Sequence, residues 1–409
     1  MPSNQNPHKL KVVILGAGVA GAILARRLAT LPQLEVTCLE KVGPDDHSES
    51  GTGLNVGPNA IKALAHCDAA LAGEVLAASL PWSSWRVSLA DGTELFNLPL
   101  AQVADNAGVR IRWSELYRVL RAGAGATVHY GCEVTSIGPA SGGAPRTRVV
   151  WEQGGTTHEI DNIDLLVGAD GRYSATRAAF SGLPAPRHVG VAILRTLVED
   201  TSGGLVDDYE QWFNGPHRLL AFRVPPGHIY IAATFPVEPG EAIRDEWKTE
   251  AVMRATYQPA HGAASPQVAW LLDAMCGTLA DAHWARMQES DVLFAEAGHD
   301  VLYLGDSAHG MAPTLGQGAT QAIEDASCAA LLLEAAVRTG KLSPRRWLQQ
   351  VAAARAERIR FAMQLSIDAT DTMLAGADPV AGAAWKTGPQ FLADLSRLYR
   401  DVPLPAEAP

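Results

Sequence analysis

The sequence predicts an α/β fold: a parallel-sheet domain completed late in the chain, an antiparallel-sheet domain inserted into it, and a helical C-terminus. Three observations predict it. Short apolar, β-branched runs of the kind buried in parallel sheets begin near residues 11, 36, 164 and 301. Between the last two, from about 187 to 235, the pattern changes to alternating strands punctuated by "NGP" and "PPG". After about residue 317 nearly everything has helical spacing.

Taken in order, "KVVIL" is a buried strand closed by Gly16, "AGAILARRLATL" a helix, and "LEVTCLE" a second strand ending at Glu40. Together they make a β-α-β unit of about thirty residues. "GTGLNVGPNAIKALAHC" reads as a glycine-rich loop entering a helix at Pro58 and Asn59. "IRWSELYRVLRAG" has helical spacing at Leu116 and Leu120, while "ATVHYGCEVTSIG" and "TRVVWEQ" alternate as strands do. "NIDLLVGADG" is a buried strand ending in an acid. "VAILRTLV", "DYEQWFNG" and "HRLLAFRVPPGHIYIAATF" form the antiparallel block, "DEWKTEAVMRATY" returns to helix, and "DVLYLGD" is the late parallel strand. The expected division is a nucleotide-binding domain in three parts (1–80, 106–182 and 291–330), a second domain from 81–105 and 183–290, and a helical region over 331–409.

The 409 residues are 47% apolar and 19% charged, ordinary for a globular protein, and the formal net charge is −11. Lys and Arg form no dense patch, so nucleic acid is not an expected partner, and an anionic substrate would need local cations. The five cysteines are scattered without a CxxC pair, which argues against a disulfide framework, a zinc site or a redox dithiol and fits a reducing cytoplasm. No metal is expected. "MPSNQNPHKL" has no signal-peptide character, and the longest apolar run, around "CAALLLEAAV", is short and contains Glu334, so no membrane partner is expected.

Gly16-Ala-Gly18-Val-Ala-Gly21 matches G-x-G-x-x-G between a strand and a helix. Gly16 permits the turn, Gly18 lets a pyrophosphate approach the backbone, and Gly21 lets the helix pack on the strand. Glu40, about twenty residues on, is placed to accept hydrogen bonds from ribose hydroxyls. This is a Rossmann-type dinucleotide site, which fits NAD or FAD alike.

Two further stretches, "DLLVGADGRYSATR" and "LYLGDSAHGMAPTLGQGATQAIEDA", decide between them. With the first motif they resemble the single-component FAD-dependent aromatic hydroxylases, the para-hydroxybenzoate hydroxylase-like flavoprotein monooxygenases, with salicylate and 6-hydroxynicotinate hydroxylases among the more similar members. The resemblance runs over residues 10–330. It implies bound FAD, transient NADH or NADPH, dioxygen, and hydroxylation of a small hydroxylated aromatic or N-heteroaromatic acid through a flavin hydroperoxide, in a monomer or homodimer. It also implies that Asp170 and Arg177 lie in a segment close to FAD and linked to NAD(P)H use. Asp306 would accept a hydrogen bond from the ribityl chain. Pro313 to Gly318 would form the loop beside the flavin ring, with Gly316 and Gly318 allowing close backbone approach. His309 is expected to pack or hydrogen-bond rather than transfer protons.

The sequence departs from the family pattern at Ala319-Thr320, where Ala-Asn is usual, and at Glu49 and Trp113, where arginines often contact FAD. Arg112 or Arg110 is the expected substitute, and Arg112 is taken as the cofactor residue. Asn55 is expected near flavin and substrate. Bases for ring activation are sought among His188, Tyr209, His217, His228 and Tyr230, with His217 and Tyr230 taken as catalytic beside Asn55 and Pro313. A substrate carboxylate would fall to Arg195, Arg218 or Arg223, with Arg195, Arg223, Tyr209 and Asn55 taken as substrate-binding. On a regular strand His217 and Arg218 cannot both face the ligand. An FAD oxidase or reductase without oxygen insertion, and a non-catalytic flavin-binding sensor, are the competing readings.

Overall fold

The computed structural model describes residues 9–45, 52–238 and 240–405. β1 (Leu10–Leu15), α1 (Val19–Leu28) and β2 (Leu34–Glu40) form the expected β-α-β unit. β3 (Gly53–Val56) enters α2 (Pro58–Cys67), followed by α3 (Ala69–Ala77), β4 (Leu80–Trp82), β5 (Ser84–Leu89), β6 (Glu94–Pro99), β7 (Gly108–Arg112) and α4 (Trp113–Ala122). Next come β8 (Val128–Tyr130), β9 (Glu133–Pro139), β10 (Thr147–Gln153), β11 (Thr156–Ile163), β12 (Leu165–Gly168) and α5 (Ala175–Phe180). The second half holds β13 (Arg187–Glu199), β14 (Tyr209–Asn214), β15 (His217–Val224), β16 (His228–Pro236), α6 (Glu250–Tyr257), α7 (Pro266–Cys276), β17 (His283–Glu289) and β18 (Val301–Tyr303). Four helices close the chain: α8 (Gln317–Arg338), α9 (Pro344–Asp368), α10 (Pro379–Lys386) and α11 (Pro389–Arg400).

The four expected parallel strands lie in one five-stranded sheet ordered β18-β12-β1-β2-β8. Val12 to Ile14 and Leu165 to Val167 are fully buried, as strands covered on both faces must be. The late strand β18 pairs with β12, so the Gly305–Gly318 segment emerges at the same sheet end as the Gly16 turn. That end is where open α/β sheets bind ligands.

The larger block is a seven-stranded sheet, β17-β13-β16-β15-β14-β5-β6, antiparallel except where β14 and β5 run parallel, so residues 84–99 join strands from 187–289. Strand alternation gives it two faces. One face, with Trp212, Leu219, Ile231 and Phe235, packs on Met253 and Tyr257 of α6 and Leu271 of α7. The other, with Tyr209, Phe213, Leu220, Phe222 and Tyr230, packs on Ala312 and Leu315 of the late loop and on Leu365 and Phe391 of the C-terminal helices. This second face is the cleft face.

One expectation is corrected. Gly53–Val56 is a strand rather than loop, pairing antiparallel with β7 in a small sheet β3-β7-β4. Four glycine-flanked residues carry no periodicity, and the partner lies more than fifty residues downstream, so nothing local marks it. α8 runs unbroken across residue 330, where Ala329 and Ala330 are fully buried in the main core.

Candidate active site

At the nucleotide end, Gly16 has φ +92°, and a Cβ there would lie 2.5 Å from the Ala169 carbonyl oxygen. A Cβ on Gly21 would collide with the Gly16 carbonyl oxygen, so helix and turn can meet only as glycines. Gly18 caps α1 with no side-chain hydrogen bond, leaving helix N–H groups for an anion. Glu40 accepts from Ala17 N at 2.6 Å and Val42 N at 3.2 Å, which leaves lone pairs for a ribose. Its cation is Arg121, which sequence reasoning missed. Arg121 Nη2 lies 3.6 Å from Glu40 Oε2, Nε donates to Ala17 O, and Nη1 is buried without a partner among the described residues. An arginine in the buried register of α4, beside Leu116 and Leu120, is the signal that could have found it. An open cavity of ≈ 410 Å³ bounded by Arg118, Arg121, Tyr130 and Pro44 adjoins this cluster and suits an adenosine.

Of the two arginines offered as substitutes, Arg110 is committed elsewhere. Its guanidinium donates to Pro81 O and Asp207 O and pairs with Asp208. Arg112, at the end of β7, has a buried Nε with no partner among the described residues and can hold a phosphate. Trp113 stacks at a tilt against Tyr117 and supplies no charge. Glu49 lies outside the described residues.

Asp170 is bonded within its own segment. One carboxylate oxygen accepts from Ser174 Oγ (2.6 Å) and the other from Thr176 N and Oγ1 (both 2.9 Å), so it sets the start of α5. Arg177 is buried and donates to the Ser307, Ala308 and Asp291 carbonyls, clamping this segment to the Asp306 loop. Asp306 itself is exposed, with no hydrogen bond or ion pair among the described residues, a free acceptor at the sheet end. His309 is fully buried and bonds Asp325 Oδ2 through Nε2 at 2.6 Å. Asp325 Oδ2 also accepts from Gly305 N at 3.0 Å and so fixes the backbone that carries Asp306.

The loop from Pro313 is built for close approach. Gly316 has φ +65°, and a Cβ on it would sit 2.5 Å from Asn55 Nδ2, so Asn55 lies against this loop. A Cβ at Gly318 would meet no other atom. No side chain caps α8, whose first N–H groups are available to an electron-rich ring edge. Thr320, the departure from the family's Asn, accepts from Gly57 N (2.9 Å) and donates to Gly316 O (2.8 Å), which joins the loop to α2. These glycines, orphaned cations and free carboxylate fit an extended flavin dinucleotide.

On the cleft face, Trp82, Tyr209, Phe222 and Tyr230 form an aromatic ladder with successive ring centroids 5.3, 5.8 and 4.9 Å apart. Burial raises the Tyr209 and Tyr230 hydroxyls above the usual phenol range, so both stay protonated at neutral pH. Gln211 Nε2 donates to Tyr209 Oη at 3.0 Å. Register resolves the His217/Arg218 alternation. Arg218 pairs with Phe213 and faces the cleft, whereas His217 points the other way, onto Phe235 and Tyr257. His217 is therefore no catalytic base of this cleft, and burial lowers its pKa in keeping with a neutral packed ring. Arg223 also falls on the wrong parity and pairs with Asp200 (2.9 Å) and Asp207, so it is not a substrate arginine. Arg195, opposite Ala232, has the cleft-face register and bonds His283 at 2.9 Å. Arg218 is 3% exposed, carries no ion pair or side-chain hydrogen bond among the described residues, and has a buried orphan Nε. Beside it, Trp85, Phe96, Gln211, Phe213, Thr314 and Lys386 line a narrow cleft.

A parallel-sheet dinucleotide site facing an aromatic antiparallel sheet defines a flavoprotein class. Residues 110–366 match the FAD binding domain family, and the chain belongs to it. It is a flavin-dependent monooxygenase with FAD as its cofactor. The 2-heptyl-3-hydroxy-4(1H)-quinolone synthase of Pseudomonas aeruginosa is 29% identical over 328 residues, covering 78% of this chain and 79% of that protein. The 3-amino-4-hydroxybenzoate 2-monooxygenase PtnB3 of Streptomyces platensis is 29% identical over 347 residues, covering 80% and 81%. Klebsiella pneumoniae HpxO, solved with FAD and uric acid, has the same fold, with a TM-score of 0.78 at 21% identity over 96% of this chain and 97% of that one. Among the described residues no helix is long and apolar enough to cross a membrane.

Proposed function

We propose that this enzyme hydroxylates a small hydroxylated aromatic or N-heteroaromatic acid, using NADH or NADPH and dioxygen. The observation that carries this reading is Arg218. An unpaired buried guanidinium is costly, and an incoming carboxylate, held bidentately, would relieve that cost. The overall charge of −11 makes such a local cation necessary for an anionic substrate. The name of one relative, a 3-amino-4-hydroxybenzoate monooxygenase, supports a ring acid.

FAD, when bound, supplies the reduction and oxygen-transfer chemistry. The protein's own residues bind, orient and shield. The Tyr209–Phe222–Tyr230 ladder lays the ring flat between the sheet and the Pro313–Gly316 loop. Tyr209, already accepting from Gln211, keeps its own proton to donate to a ring oxygen. Tyr230 Oη, with no hydrogen bond among the described residues, is the second donor. Asn55 holds the loop in place, and the apolar walls exclude water.

The test is NADH and NADPH oxidation in air with a panel of hydroxybenzoates and hydroxypyridine carboxylates. A ring acid that accelerates oxidation and gains one oxygen supports the reading; stimulation by neutral rings alone contradicts it.

A further inference from the structure

The cleft has a wall that the hydroxylase reading does not use. Thr372 and Lys386 come from the C-terminal region, opposite the sheet residues Gln211 and Phe213. Lys386 is 4% exposed, and its Nζ donates to Asp371 Oδ1 and to Thr372 Oγ1, the latter at 3.1 Å. Resting on the reading above, we propose that Lys386 is a second, specificity-setting cation that shares the substrate's acidic group with Arg218.

Three observations support it. First, the charges do not balance: Lys386 has one carboxylate partner, Asp371, whose side chain is 40% exposed, and Arg218 has none among the described residues. The described cluster therefore has room for one more negative charge. Second, the Arg218 charge reaches Lys386. Burial is the main cause that lowers the Lys386 pKa, Asp371 opposes it, and Arg218 adds to the lowering. A shared anion would offset the Arg218 contribution. Third, the cleft that Lys386 lines is narrow, and Gln211 and Thr314 set further polar groups on the same wall beside the charge.

A plain structural role, tying α10 to the Asp371–Met373 turn, makes a different prediction, and binding separates the two. The FAD-loaded enzyme is titrated with 4-hydroxybenzoate, 6-hydroxynicotinate and the corresponding amides, following the perturbation of flavin absorbance. The parent should bind each acid more tightly than its amide. Lys386→Gln, which keeps a donor for Asp371 and Thr372, should weaken acid binding about tenfold or more while changing amide binding little. Lys386→Arg should restore most of the preference, and Asp371→Asn should retain or strengthen it. If the parent prefers acids and Lys386→Gln leaves that preference intact, or weakens acid and amide equally, this inference is overturned and the hydroxylase reading stands. If the parent shows no preference for acids, both fall.

Discussion

Asp306 and Gly316 show what single residues contribute. Asp306 is a free carboxylate at a sheet end, held there by Gly305 N on Asp325. Asp306→Ala should purify largely colourless, read as the ratio of flavin to protein absorbance; full retention of FAD would remove Asp306 from the site. Gly316→Ala meets both a left-handed φ and the Asn55 side chain, which together cost about 1–3 kcal/mol. It should weaken FAD binding without unfolding the sheets, as judged by unchanged far-ultraviolet circular dichroism. Gly16 and Gly21 could be read from the sequence because each answers a local backbone demand beside a recognisable strand, whereas Asp306 and Gly316 were singled out through the family resemblance. Arg218, His217 and Arg223 could not be sorted, because one residue of register decides which face each takes. Lys386 was invisible for another reason: it reaches the cleft from a helix far along the chain, and nothing near it in sequence points there.

At the scale of elements, α8 and α9 are joined by buried charge. Arg355 Nε, Nη1 and Nη2 contact Asp325 (2.8 Å), Glu324 (2.7 Å) and Gln321 (2.6 Å), all fully buried. Arg358 adds a second bond set to Glu324, and Asn59 Nδ2 of α2 donates to Glu324 at 2.6 Å. The helix whose first turn is left uncapped is thus anchored to the C-terminal region. Arg355→Met leaves two carboxylates short of a partner and should cost about 3–5 kcal/mol, measured by urea denaturation. Burial alone would raise the Asp325 pKa, yet His309 and Arg355 bring it down to about 2, below the ordinary 3.8. A carboxyl depressed on folding stabilises above its unfolded pKa and loses that contribution as pH falls through the folded value. Stability should therefore hold to about pH 4 and fall toward pH 2, with a shallower acid limb in Asp325→Asn. Helical spacing foretold α8 but not this network, since its residues converge from three helices. The strand β3 escaped notice for the same kind of reason, its partner being distant in sequence.

Over the whole molecule, the chain combines a net charge of −11 with a cation-bearing cleft. Long-range repulsion of an anionic substrate is screened by salt, while the buried Arg218 contact is screened less. Association of a ring acid should speed up between low and moderate ionic strength in stopped-flow measurements, with dissociation little changed. The late arrival of β18 and the insertion of the antiparallel block were readable because buried and alternating strands look different in sequence. The sharing of the cleft with the C-terminal helices was not, because their apolar faces read only as core.

The most direct test of the central claim is to run the reaction under ¹⁸O₂ with NADH or NADPH and a hydroxylated ring acid, and to weigh the product. The account predicts consumption of nicotinamide coupled to a product carrying one ¹⁸O atom, lost when Arg218 is replaced by Gln. Coenzyme oxidation that leaves the ring unlabelled for every acid tested would contradict it.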